Sequence, residues 1–216
     1  MNRIIIISLF SFILLLSGCS FGTSTESSLN DVLSKVYEDE EGYRTAQEQL
    51  SELEKNEQTS FKEMMELTQE QKEELSAKVS EMETSLEERL KLISAEEESI
   101  NQAEETFKEI DGVIEQAEEE DVKGILQDMK AEMTERFSMH EEFIKQYEQL
   151  SELQRSLYAM LADNQTEMPA LQNKVKEVNV QNDAVQKVIA QFNEHTKIFN
   201  DLKNEVYEKF NGEKNE

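Results

Sequence analysis

The chain has no Trp, one Cys, one Pro and six Gly in 216 residues. A single cysteine excludes a disulfide framework and a multi-cysteine zinc site. The shortage of Gly and Pro is matched by an absence of the apolar strand runs that a doubly wound or barrel enzyme needs. Basic charge is also scarce: 22 Lys+Arg stand against 48 Asp+Glu, a formal net charge of −26. That balance argues against nucleic acid, whose phosphates reward clustered Lys and Arg. With 37% hydrophobic and 32% charged residues, the core must be a narrow stripe.

What is present begins with an address. Met1-Asn2-Arg3 is a short basic start, and Ile4 to Leu16 is an uncharged, almost wholly apolar run. It is too short for a membrane-spanning helix, which takes about 20 residues, but it suits the core of a signal peptide. The run closes on Leu16-Ser17-Gly18-Cys19, a lipobox, with cleavage expected between Gly18 and Cys19. Residues 1–18 therefore read as a lipoprotein signal peptide. Cys19 reads as the residue thioether-linked to diacylglycerol, so that the chain is anchored to a membrane rather than spanning it. Residues 19–28 read as the lipidated cysteine and a flexible Ser/Thr tether. Residues 29–211 form the body, and 212–216 a disordered tail.

The body is built from Glu, Gln, Lys, Leu and Met, all good helix formers. Apolar residues recur every seven positions: Leu171, Val178, Val185, Phe192, Phe199 and Val206 make one seam, with Met168, Val175, Asn182 and Ile189 as companions. A second runs Val79, Leu86, Ile93, Ile100, Phe107 and Ile114, accompanied by Leu75, Met82, Ala103, Ile110 and Ala117. A third passes through Val122, Met129, Met133, Phe143, Tyr147, Leu150 and Leu157. A sustained 3.5-residue period means long helices packed side by side in the manner of a coiled coil. Breaks are expected at the charge run Glu118–Asp121 and at 162–169, which holds Pro169. Another is expected between Lys55 and Gln71, near Thr68, where the seam of Val36, Tyr43, Leu50 and Leu53 falls one residue out of phase with that near Phe61. The fold class is all-α: a long antiparallel up-and-down bundle of four helices, or three with one very long helix.

Sites for chemistry are few. Gly42 and Gly112 lack the acidic run of an EF-hand. Phe137 and Phe192 stand where a di-iron bundle needs Glu before His140 and His195, and Ile144 stands where a zincin needs its second His. His140 reads as a satisfied core histidine and His195 as a surface residue. No metal site, cofactor or catalytic residue is expected, and the chain does not read as an enzyme. Carboxylate runs such as Glu38–Glu41 and Glu96–Glu98 read as solvated helix faces, Asn182 as a register-setting amide, and the methionines as core gap-fillers. Charge is uneven: residues 26–120 carry 9 Lys+Arg and 30 Asp+Glu, residues 121–216 carry 12 and 18. The strongly anionic first half reads as a solubilising, self-repelling surface, the alternative being a surface for a basic partner or loosely held divalent cations.

The Leu16-Ser17-Gly18-Cys19 lipobox, the Ser/Thr tether and the acidic helical body together resemble the YkyA-like family of cell-wall-binding lipoproteins of Gram-positive bacteria. The resemblance implies an extracytoplasmic bundle on the outer face of the membrane. Its partners would be peptidoglycan, teichoic acid or an envelope protein, with ligand-contacting residues unassigned. Sugar-binding surfaces expose aromatics, for which Tyr37, Tyr158 and Tyr207 are the candidates. The alternative is a self-associating coiled-coil adaptor, with Leu33, Leu90 and Ile198 forming a second interface beside the seams.

Overall fold

In the computed structural model, residues 24–67, 71–163 and 165–213 are described. Gly18, Cys19 and the rest of the signal peptide lie outside them. Six helices account for nearly all the described residues: α1 (Ser24–Asp39), α2 (Glu41–Glu66), α3 (Lys72–Phe107), α4 (Ile110–Gln116), α5 (Glu120–Ala162) and α6 (Met168–Glu213). The chain is all-α, as the seven-residue seams predict. Helix α2 ends at Glu66 and α3 begins at Lys72, which removes the three-helix alternative. The other expected breaks fall at 117–119 and 163–167, with Pro169 in the first turn of α6, where its missing N–H is harmless. Helix α1 starts at Ser24, so residues 24–28, expected in the tether, are helical, and Thr25 and Glu26 are buried.

Two further interruptions fall beside Gly42 and Gly112, residues that favour a kink. At 108–112 the backbone bonds tighten to i−3 pairs, for example Glu109 N–H to Thr106 C=O at 3.1 Å, separating α3 from α4. Between α1 and α2 the cause is a side chain. Ser99 Oγ accepts the Tyr43 N–H at 2.9 Å and donates to the Asp39 carbonyl at 2.5 Å. The hydroxyl stands between the two groups that an i→i−4 bond would join, a recognised cause of helix kinks.

The helices form two compact units. One, the loop unit, takes 44–96 and 142–187; the other, the terminal unit, takes 24–43, 97–141 and 188–213 among the described residues. In the terminal unit, Thr25, Lys35, Asp39 and Tyr43 meet Gln116, Glu109, Thr106 and Ser99, so α1 runs antiparallel to α3–α4. There α5 runs antiparallel to α6, Asp121 meeting Lys209 and Glu132 meeting His195. In the loop unit, Gln47, Glu57 and Ser60 meet Glu96, Ser85 and Glu81, again antiparallel, and Gln146 of α5 meets Gln181 of α6. Each unit is thus an up-and-down arrangement of four helical segments.

The terminal unit has a dense core in which Phe107 packs edge-on against Phe137 and Phe199, with centroids 6.2 and 6.0 Å apart. Leu29, Leu33, Met129 and Val206 lie beside them. In the loop unit Met64, Val79, Met82, Leu86, Leu157 and Tyr158 form one buried cluster, and Leu50, Ile93, Phe143, Leu150 and Val185 are buried as well, while Leu171, Val175 and Val178 of α6 are only half-buried. Met168, expected on the seam, is 62% exposed. Leu33, expected outside the seams, is 3% exposed and part of the core, which takes it out of any second interface.

Candidate functional site

The heptad ladders contain polar residues at positions where periodicity demands apolar ones, and the structure buries them. In the ladder of Met82, Ala103 and Ile110, the intervening members are Arg89 and Glu96, 2% and 1% exposed. Arg136 continues the ladder Met129, Phe143, Leu150 and is 1% exposed, while Glu40 and Glu57 fill ladders of α1–α2 at 1% and 9%. The apparent phase slip near Lys55 was therefore no slip. Leu29, Val36, Tyr43 and Leu50 continue at the same spacing through Glu57 to Met64. Two of the carboxylates expected on solvated faces, Glu40 and Glu96, are interior.

In the loop unit, Arg89 organises a polar centre. Its Nη2 lies 2.7 Å from Glu57 Oε2 and donates to Gln154 Oε1 at 3.0 Å. Its Nη1 donates to Tyr147 Oη at 2.8 Å, and that hydroxyl donates onward to Glu54 Oε1 at 3.1 Å. Tyr158, expected at the surface, is 2% exposed and donates its hydroxyl to Glu57 Oε1. Burial pushes Glu54 above the ordinary carboxylate range, against the nearby Arg89 charge. The Tyr147 and Tyr158 hydroxyls are raised, first by burial and next by Glu54 and Glu57 respectively. Arg89 Nε and Ser151 Oγ are buried without an acceptor or donor among the described residues.

In the terminal unit, Arg136 plays the corresponding part in different surroundings. Its Nη1 meets Glu40 Oε1 at 2.5 Å and its Nε donates to Thr196 Oγ1 at 3.0 Å. The guanidinium also lies over the Phe192 ring at 4.5 Å from the centroid, a cation–π contact. Buried His140 packs 6.0 Å from Tyr43 and 6.1 Å from Phe192, as the core reading of that histidine requires. His195 is not a free surface residue: its Nδ1 lies 2.8 Å from Glu132 Oε2 and both side chains are 26% exposed. Tyr207 is half-buried and donates to Asn30 Oδ1. Asn182 and Tyr37 are also half-buried, so Tyr37 and Tyr207 keep partial exposure and Tyr158 does not.

Both centres are enclosed by helices, and apart from Arg89 Nε their charged heads are held by internal partners. Among the described residues no three His, Cys, Asp or Glu side chains are placed to hold a metal ion. Buried ions inside a helical bundle fix which residues face each other, because a slipped register leaves each charge unpaired. The centres are thus devices of pairing. The exposed side chains lie on the outer helix faces.

Comparison with known proteins bears on what those faces contact. The family YkyA, described as "Putative cell-wall binding lipoprotein", matches residues 24–209. The chain belongs to the YkyA family. A YkyA relative, the uncharacterized lipoprotein YkyA of Bacillus subtilis (strain 168), is 29% identical over 195 residues, covering 90% of this chain and 87% of that protein. A crystal structure of a conserved protein of unknown function from Staphylococcus aureus superposes with a TM-score of 0.71 at 17% identity, over 88% of this chain and 98% of that one. It shares the helical fold. The YkyA description is one of binding and of lipid attachment, not of catalysis, and among the described residues no helix is long and apolar enough to cross a membrane.

Proposed function

We propose that this YkyA-family protein is a non-enzymatic lipoprotein held at the outer face of the membrane by Cys19, with 1–18 removed as signal peptide, and that its helical body binds cell-wall material. The observation that carries this reading is the match to a cell-wall-binding family over residues 24–209, the span of nearly the whole body. The enclosed arginine centres support it by leaving the outer helix faces as the contact surface. A thioether-linked diacylglycerol supplies two acyl chains, and each buried CH₂ contributes ~0.8 kcal/mol, enough for stable attachment.

The test uses the full acylated chain in mild detergent, mixed with purified sacculi with and without teichoic acids and with and without Mg²⁺. Co-sedimentation with sacculi is the expected result. Pelleting only with teichoic acid and Mg²⁺ would assign binding to cations bridging the acidic surface. A chain that stays in the supernatant throughout removes wall binding and leaves a protein partner or self-association. The anchor is tested separately: Cys19→Ala should move the protein from the membrane fraction to the medium.

A further inference from the structure

The helices differ in charge. Residues 24–116 carry 9 Lys+Arg against 27 Asp+Glu, and α5 carries 5 against 9. The first twenty residues of α6, 168–187, reverse the sign with Lys174, Lys176 and Lys187 against Glu177 and Asp183. On this stretch Gln172, Lys176, Asn179, Asp183 and Lys187 are exposed and recur at three- and four-residue spacing, forming one stripe. Asn173 and Val180, the latter 70% exposed, flank it. The stripe therefore offers amide donors and acceptors, an isolated apolar contact and charges of both signs.

We propose that this face of α6 in the loop unit is where the protein meets the wall, and that the ligand is peptidoglycan itself, a glycan bearing hydroxyls, amides and peptide carboxylates. The inference rests on the wall-binding reading above. Its physical ground is charge complementarity: a wall polymer with carboxylates is repelled by the strongly acidic α1–α4 faces and is not repelled here. Side-chain amides match sugar hydroxyls and acetamido groups as both donors and acceptors. A polyphosphate would be better served by a lysine cluster free of acids, which this stripe is not.

The full chain is compared with two variants in sedimentation with sacculi stripped of teichoic acids. In one, Gln172→Glu, Asn179→Glu and Lys187→Glu make the stripe acidic. In the other, Ser80→Glu, Thr84→Glu and Lys91→Glu make the same change of charge on an exposed face of α3. All six positions are exposed and helical, and Glu is a good helix former, so circular dichroism should be unchanged for both. The α6 variant should lose at least tenfold in apparent affinity while the α3 variant stays within twofold of the parent. Equal losses in both variants, or none in either, would overturn the assignment to α6 while leaving wall binding in place. Pelleting of the parent only with teichoic acid and Mg²⁺ would overturn the choice of peptidoglycan. Failure of the parent to bind any sacculi would remove the wall-binding reading and this inference with it.

Discussion

The two units bury an arginine each and surround it differently. In the terminal unit, Arg136 meets Glu40 and the Thr196 hydroxyl and lies over the Phe192 ring, beside a core of edge-on phenylalanines. In the loop unit, Arg89 is shared among Glu57, Gln154 and Tyr147, with Glu54 one hydroxyl further on and Nε without an acceptor among the described residues. The first arrangement is an ion pair sealed by apolar rings. The second is a chain of polar groups with more carboxylates to neutralise. One fold thus contains a centre that behaves as a closed pair and another whose balance depends on protons.

The largest effect should come from deleting either guanidinium. Arg89→Met and Arg136→Met should each cost ~3–5 kcal/mol at neutral pH, because a buried carboxylate is left unpaired. Chemical denaturation measures the loss, and hydrogen exchange should show Arg89→Met lowering protection first in α5 beyond residue 142.

Removing both members of a pair sharpens the contrast. Arg136→Met with Glu40→Leu should return to within ~1 kcal/mol of the parent, since apolar groups of similar size replace a buried ion pair with little loss. Arg89→Met with Glu57→Leu should recover less, because Glu54 and Tyr147 remain. Equal recovery in the two units would break the comparison.

A smaller effect separates the units by pH. Glu54 has a carboxyl raised by burial, so the folded loop unit binds its proton more tightly than the unfolded chain does. Stability must then fall as pH rises through the window above the ordinary carboxylate value, and increase on mild acidification. Melting of Glu54→Gln against the parent between pH 7 and pH 5 tests this: the substitution should flatten the slope. At the alkaline end both units should weaken above about pH 10, where unfolded tyrosines ionise. In the folded chain Tyr147 and Tyr158 hold their protons longer, and Tyr207 is pushed up to about 12 by burial.

The seams that held up are those carried by Val185, Phe192, Phe199 and Val206, where period and hydrophobicity agree. What escaped was the set of polar residues in the same ladders. Arg89 and Glu96 are spaced by seven from Met82 and Ala103, yet a charged residue on a charge-rich chain reads as solvated by default. The signal was positional: a heptad ladder with two vacant rungs on α3 opposite vacant rungs Gln47 and Glu57 on α2. The Ser99 wedge had no such signal, since which hydroxyl enters which backbone depends on the neighbouring helix. The half-burial of Leu171, Val175 and Val178 was hidden for the same reason, since a seam shows where a helix packs and not how tightly.

The smallest expected effects test those two features. Leu171→Ala should cost about 1 kcal/mol, below the ~2–5 kcal/mol of a fully buried leucine. Ser99→Ala should cost less still, under about 1 kcal/mol, because Asp39 and Tyr43 regain the chance to bond each other. Exchange of the Tyr43 amide reports it directly.

Tyr207 bonds Asn30 across 177 residues of sequence, and it lies in the same unit as the first helix. Closing so long a loop carries a high entropic cost and belongs to the late steps of assembly. The loop unit's α2–α3 hairpin can form early, since Ser60 and Glu81 are only 21 residues apart. Helix α1 meets α3–α4 sooner than α6, Lys35 and Glu109 being 74 residues apart and Thr25 and Gln116 91. The cover of its apolar face, Leu29, Val32 and Val36, is complete only when the final turns of α6 have been made. A chain cut short before those turns would keep its hairpins and leave one side of that face uncovered for whatever protease or chaperone it meets first.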